Sequence, residues 1–207
     1  MTIAFALDSP ADAMGDRESI LDAALAAFVD FGIRRTNMSD IARRAGISPA
    51  TLYRRFTQKA DLVLAVGVRE AQRLLDYLEQ HIDITASPVD QLSELHIAVA
   101  GQLRSNELLR RVLGTEPESV LPKLTVDADP ILEIGRGYLA TFLTRLQDEG
   151  HLPSYDVTPV ADSLSRLAQS EVLTPSKAPL TEAQTRAFVR DHLAPFIRLD
   201  VTERPHQ

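Results

Sequence analysis

The chain has 207 residues, 44% of them hydrophobic, and no cysteine. That is enough to bury one sizeable core, or one core and a small second domain, and it excludes a disulfide framework and a thiolate metal site. The formal charge of −7 speaks against a nucleic-acid partner only if charge is evenly spread, and it is not: between Ile33 and Lys59, Arg34, Arg35, Arg43, Arg44, Arg54, Arg55 and Lys59 stand against a single acid, Asp40. Phosphates feel the local field within a Debye length, so this pattern suggests a small basic contact module carried on an acidic body.

Residues 1–15 show little periodicity and read as a flexible N-terminal arm. The opening MTIAFAL lacks the basic residues and the length of a secretory segment, and no run approaches the roughly 18 apolar residues of a membrane helix, so a cytoplasmic location is expected. Gly15 or Asp16 can cap a first helix, Arg17 to Phe31, with Ile20, Leu21, Ala24, Leu25 and Phe28 at helical spacing and Gly32 at its end. Asn37 can cap a second, with Asp40 placed to reach back as a capping-box acid. Its buried face holds Ile41, Ala42 and Ala45, and Gly46 takes the left-handed exit. Ser48 caps a third helix, with Pro49 at the first position, where a missing N–H costs nothing. Leu52 and Phe56 face inward, leaving Ala50, Thr51, Tyr53, Arg54 and Arg55 to the outside. A long helix from Gln58 to Ile82 then carries Leu62, Val66, Leu74 and Leu78 along its apolar stripe and spans roughly 36 Å.

Further helices are predicted over Pro88 to Arg104, Asn106 to Leu113, Glu118 to Leu124, Pro130 to Glu149, Thr158 to Leu173 and Thr181 to Leu199, with proline or glycine at most joints. No strand-like alternation competes and no internal repeat is present, so the fold class is all-α. Gly135 and Gly137 lie inside the helix ILEIGRGYLATFL, where each costs about 1 kcal/mol relative to alanine; close helix packing is favoured over room left for a ligand. His81, His96, His151, His192 and His206 lack the spacing of a metal cluster. With no cysteine nucleophile, phosphate-cradling loop or paired-carboxylate motif, neither a metal, a cofactor nor catalysis is expected.

Two short helices joined by a turn at Gly46 to Ser48 fit a helix-turn-helix, whose second helix enters the major groove and can be short because only three or four side chains reach base edges. Alanine and threonine at its tip allow close approach and can pack on a thymine methyl, while arginines can bond guanine edges or phosphates. Tyr53 lies beside the Leu52–Phe56 stripe rather than on it, which favours a DNA contact over burial. Over residues 17–66, ILDAALAAF with Gly32, then DIARRAGIS, TLYRRF, and Lys59 followed by Leu62, resemble the DNA-binding domain of the TetR (tetracycline-repressor) family of bacterial transcriptional regulators.

That resemblance implies a homodimer with a three-helix DNA-binding head at 16–58, a larger helical body at 59–200 that binds a small effector and dimerises, and a tail at 201–207. Carried over by position, Thr51, Tyr53 and Arg55 contact DNA from the recognition helix with Arg54 beside them, and Ser48 and Ala50 lie at its tip. Lys59 meets a phosphate, and Met38 and Ser39 touch the backbone or an adjacent base. Ala50 stands where the family often has glycine, and Arg55 where it often has histidine or an aromatic, which allows Arg55 a phosphate rather than a base. In the body, His96, Val99, Leu103, Tyr138 and Phe142 are candidate effector contacts, although a satisfied interior histidine is the commoner role for His96. Leu164, Leu167 and Val172, with Phe188, His192 and Phe196, could close the monomer's core or form a four-helix interface with a second copy; the resemblance favours the interface. The expected function is a sequence-specific repressor released from an inverted-repeat operator by a hydrophobic effector, with no membrane partner. An activator is the near alternative. A helical ligand-sequestering protein or enzyme with a vestigial head is the distant one, and Lys59, Tyr53 and the Ser48–Pro49 cap speak against it.

Overall fold

The computed structural model describes residues 10–199; the expected arm up to residue 9 and the expected tail from 201 lie outside them. Every regular element among the described residues is helical, and none of them is a strand. They form α1 (Pro10–Phe31), α2 (Met38–Arg44), α3 (Pro49–Arg55), α4 (Lys59–His81), α5 (Pro88–Ser105), α6 (Glu107–Thr115), a 3-10 turn (Pro117–Ser119), α7 (Leu121–Leu124), α8 (Asp129–Asp148), α9 (Thr158–Leu173), α10 (Glu182–Phe188), a π-helical turn (Val189–Leu193) and α11 (Ala194–Phe196). Most bounds lie within two residues of expectation, and three elements differ, beginning with the segment expected as one helix over Glu118 to Leu124, which is a 3-10 turn followed by the four-residue α7. The first helix starts at Pro10 rather than Arg17, so 10–15 are helical. The last one is interrupted by the π-helical turn, just before Pro195, which has no N–H to donate.

The chain divides into two compact units: a head comprising residues up to Gly67 together with Arg110–Leu121, and a body comprising Val68–Leu109 and the residues from Pro122 onward. In the head, Ile20, Leu21, Ala24, Ala27 and Phe28 of α1, Ile41 and Ala42 of α2, Leu52 of α3, and Phe56, Leu62 and Val66 are all buried. Each large apolar side chain among them contributes about 2 kcal/mol on removal from water. The local stops and starts follow from side-chain chemistry. Gly32 and Gly46 leave α1 and α2 at φ of 82° and 71°, the left-handed region open to glycine. Asn37 Oδ1 accepts the Asp40 N–H at 2.8 Å, and Ser48 Oγ accepts the Thr51 N–H at 3.1 Å. Asp40 does not reach back to the backbone as a capping-box acid; it accepts from the Asn37 side-chain amide and from Arg43.

In the body, α8 and α9 pack along each other, and Leu78, Leu92, Leu95, Phe142, Leu143, Leu146, Val189, Leu193 and Ile197 belong to one buried cluster. Of the two mid-helix glycines only Gly135 is at a close approach, where a Cβ would lie 3.5 Å from Ser165 Oγ; around Gly137 nothing comes within 4 Å. Arg136 fastens α8 to α9 through Asp162 at 3.3 Å, while also binding Asp129 at 2.8 Å and Glu133 at 2.5 Å. No helix among the described residues is long and apolar enough to cross a membrane.

Candidate nucleic-acid interface

The second helix of the helix-turn-helix is anchored by one face and open on the other. Leu52 is fully buried and Phe56 is 5% exposed, whereas Ser48, Ala50 and Arg54 are exposed and the Tyr53 ring is 50% exposed, too open to be a core residue. Thr51 and Arg55 are half-buried. Ser48 Oγ lies 2.9 Å from Thr51 Oγ1, so the cap also fixes the threonine hydroxyl at the helix tip. The expected contact set on α3 is thus gathered on one accessible surface, with Ser39 of α2 also exposed.

Two expected contacts are placed differently. Met38 is 6% exposed: it shares the inward face of α2 with Ile41, three residues on, so its side chain serves the core. Lys59 turns its ammonium inward, donating to the carbonyls of Ile33 at 2.7 Å, Thr36 at 2.9 Å and Arg34 at 3.3 Å. An ammonium has three protons, and these three acceptors take them all, so here the side chain clamps the turn between α1 and α2.

The basic surplus of the segment is also partly engaged. Arg34 pairs with Glu118 at 2.8 Å, Arg43 with Asp40 at 2.6 Å, and Arg44 with Asp30 at 2.7 Å while lying over the Phe31 ring. Glu118's own backbone amide and the Arg34 guanidinium hold its carboxyl below the usual carboxylate range. Exposed pairs of this kind are weak, so a DNA phosphate can compete for these arginines. Arg35, Arg43 and Arg44 line an open cleft of about 490 Å³ beside α2, with Phe31 on its wall.

One residue of the head has no counterpart in the sequence expectations. Glu116 is 6% exposed, and its carboxylate accepts the N–H groups of Ile33 at 2.5 Å and Arg34 at 2.9 Å. In the sequence it is one acid among many.

The body residues divide as well. Phe142 belongs to the buried cluster, with Val99 and Tyr138 packed against it. Leu103 is half-buried without being part of that cluster. His96 faces the Phe188 ring at 6.0 Å, and Phe188 in turn lies 5.4 Å from His192. Burial pushes the His96 imidazole below its ordinary range and Tyr138 above its own. Of the expected interface, Leu167 and Phe196 are 50% and 53% exposed, Phe188 and His192 are exposed, and Val172 is half-buried. Leu164 is 9% exposed and lies in the body's own cluster, so the inward side of α9 claims it. Among the described residues no group of three or more histidines and acids is placed to hold a metal.

Residues 20–66 match the family described as bacterial regulatory proteins, tetR family. Over 155 residues the chain is 28% identical to Mb2274c of Mycobacterium bovis, an uncharacterized HTH-type transcriptional regulator, covering 74% of this chain and 78% of that one. Over 91 residues it is 33% identical to KstR2 of Mycolicibacterium smegmatis, an HTH-type transcriptional repressor, covering 44% of each. Its fold matches the crystal structure of the TetR-family repressor AlkX from Dietzia sp., with a TM-score of 0.69, 22% identity and coverage of 92% and 96% of the two chains. A head whose recognition helix is anchored by Leu52 and opens Ala50, Tyr53 and Arg54 outward, in a chain of this fold and kinship, makes the protein a DNA-binding transcriptional regulator of the TetR family.

Proposed function

We propose that the protein is a cytoplasmic homodimeric repressor that binds an inverted-repeat operator and leaves it when a small hydrophobic molecule binds the body. The observation that carries this reading is the open face of α3, where Ala50, Tyr53 and Arg54 stand exposed around the Ser48-capped tip with Thr51 held beside them. Two such heads in one dimer would read half-sites whose centres lie about 34–36 Å apart or a multiple of it. Dimerisation is supported by the exposed apolar side chains Leu167, Phe188 and Phe196 on α9 to α11, apolar surface that a second copy would take out of water.

A hydrophobic effector is supported by the apolar interior of the body, to whose buried cluster Phe142 belongs and against which Val99 and Tyr138 pack. The repressor reading is supported by KstR2 of Mycolicibacterium smegmatis, a repressor 33% identical to this chain over 91 residues. Release follows by population shift, the effector stabilising the dimer geometry that no longer fits the operator. The test is sequencing of genomic fragments retained by the purified protein, followed by footprinting and light scattering. An inverted repeat protected by a dimer is expected; a monomer, or a protein that retains no fragment, would refute the reading.

A further inference from the structure

The chain leaves the body after Leu109, contributes Arg110–Leu121 to the head, and returns to the body at Pro122. Within that excursion Val112 and Val120 are buried at 1% and 7% exposure, and between them Glu116 brings a carboxylate to the turn that follows α1. One oxygen accepts the Ile33 N–H at 2.5 Å; the other accepts the Arg34 N–H at 2.9 Å and lies 3.4 Å from the Ser119 hydroxyl. Backbone amides just past a helix end need acceptors, and a carboxylate held by two of them is a strong, directional contact.

Gly32 makes this contact possible in two ways. Its φ of 82° turns the chain out of α1, and a Cβ at that position would lie 2.3 Å from Glu116 Oε1. Lys59 grips the same turn from its carbonyls, at Ile33, Arg34 and Thr36. The turn from Gly32 to Thr36 is therefore held by an anion at its N–H groups and a cation at its oxygens. It runs directly into Asn37, the N-cap of α2, the first helix of the helix-turn-helix.

We propose that Glu116 is a positioning residue for operator binding: it sets the Gly32–Thr36 turn, and through it the start of α2, from a segment whose two ends belong to the body. The proposal rests on the reading that the head binds DNA. Whatever withdraws Glu116 releases the turn. By linkage, operator DNA must in return strengthen the hold of Glu116 on the two amides.

The test uses the full chain and a genomic fragment selected by the unmutated protein. In Glu116→Gln the side chain keeps its size but sets an amide NH2 against one of the two N–H donors. Operator affinity should fall about tenfold or more, with the salt slope unchanged because no phosphate contact is removed. The amides of Ile33 and Arg34 should exchange faster in this variant. In the unmutated protein operator DNA should slow exchange at these two amides by a larger factor than at the α1 core amide of Phe28, an excess that a merely structural role would not produce. Gly32→Ala, which pushes the carboxylate away, should give the same affinity loss and the same faster exchange. Should Glu116→Gln not fold, Glu116→Asp, with a carboxylate one methylene short, carries the same comparison with a smaller loss. Affinity within about twofold of the unmutated protein in the folded variants, or slowing by operator DNA at these two amides no greater than at Phe28, would overturn the positioning role alone. An unmutated protein that selects no DNA would overturn the DNA-binding reading and this inference with it.

Discussion

Replacing Lys59 by methionine removes the ammonium while keeping an apolar stem of similar length. The ammonium makes two short hydrogen bonds, 2.7 Å to the Ile33 carbonyl and 2.9 Å to the Thr36 carbonyl, and a longer one of 3.3 Å to Arg34. Ile33 and Thr36 are 6% and 3% exposed, so their carbonyls cannot simply turn to water once the donor is gone. A hydrogen bond to a charged group contributes about 1.5–3 kcal/mol net; discounted for a half-exposed lysine, the two short ones together amount to about 2–4 kcal/mol. For a chain of this size that lowers Tm by roughly 5–15 °C. A lysine whose only partner were a phosphate would behave otherwise: stability would be untouched, and the slope of log affinity against log salt would shrink by about 0.9 for each phosphate no longer neutralised. Thermal or urea unfolding followed by circular dichroism, with a salt titration on a selected operator fragment, separates the two. Lys59→Met should lose stability and keep its salt slope. An unchanged unfolding midpoint with a shallower slope would show that the clamp on the turn does not hold in solution.

Tyr53→Ala and Thr51→Ala should alter base preference at one position of each half-site by about 1–3 kcal/mol, measured by binding to a panel of single-base operator variants. Tyr53→Ala should leave the unfolding midpoint nearly unchanged, because its ring is already 50% exposed. Leu167→Asp combined with Phe196→Asp should yield folded monomers by light scattering, with operator binding weakened because a single head reads only one half-site; Leu164→Asp should instead unfold the body, since that side chain is in its core. His96 is pushed down by burial, opposed by Glu171 and aided by Arg104, with the Phe188 ring against it. The unfolded chain therefore takes up the proton first as pH falls, and stability drops from about pH 6.5 down through the folded-state value. Urea midpoints between about pH 7 and pH 5 should fall for the unmutated protein and flatten for His96→Gln; parallel curves would refute the assignment.

What the sequence determined by itself was local. Asn37, Gly46, Ser48 and Pro49 each act on backbone groups within four residues, so the two short helices and their turn follow from residue chemistry wherever the segment sits. The four-residue spacing of Leu52 and Phe56 fixes which side of α3 is buried, and hence that Tyr53 and Arg54 face out. The family resemblance was carried by these same residues, which is why the head was legible and the body only as a helical plan. Tertiary structure decided everything that depends on distant partners. Lys59 is 26 residues from Ile33, and Glu116 is 83 residues from it, yet both converge on one turn. No periodicity records that a charged side chain will find backbone amides or carbonyls so far along the chain, and the seven basic residues between Ile33 and Lys59 look alike until their partners are seen. Met38 and Leu164 make the same point from the apolar side. A hydrophobic residue at a helix surface faces a ligand, a partner copy or its own core according to what packs against that helix, and only the folded chain supplies the neighbour.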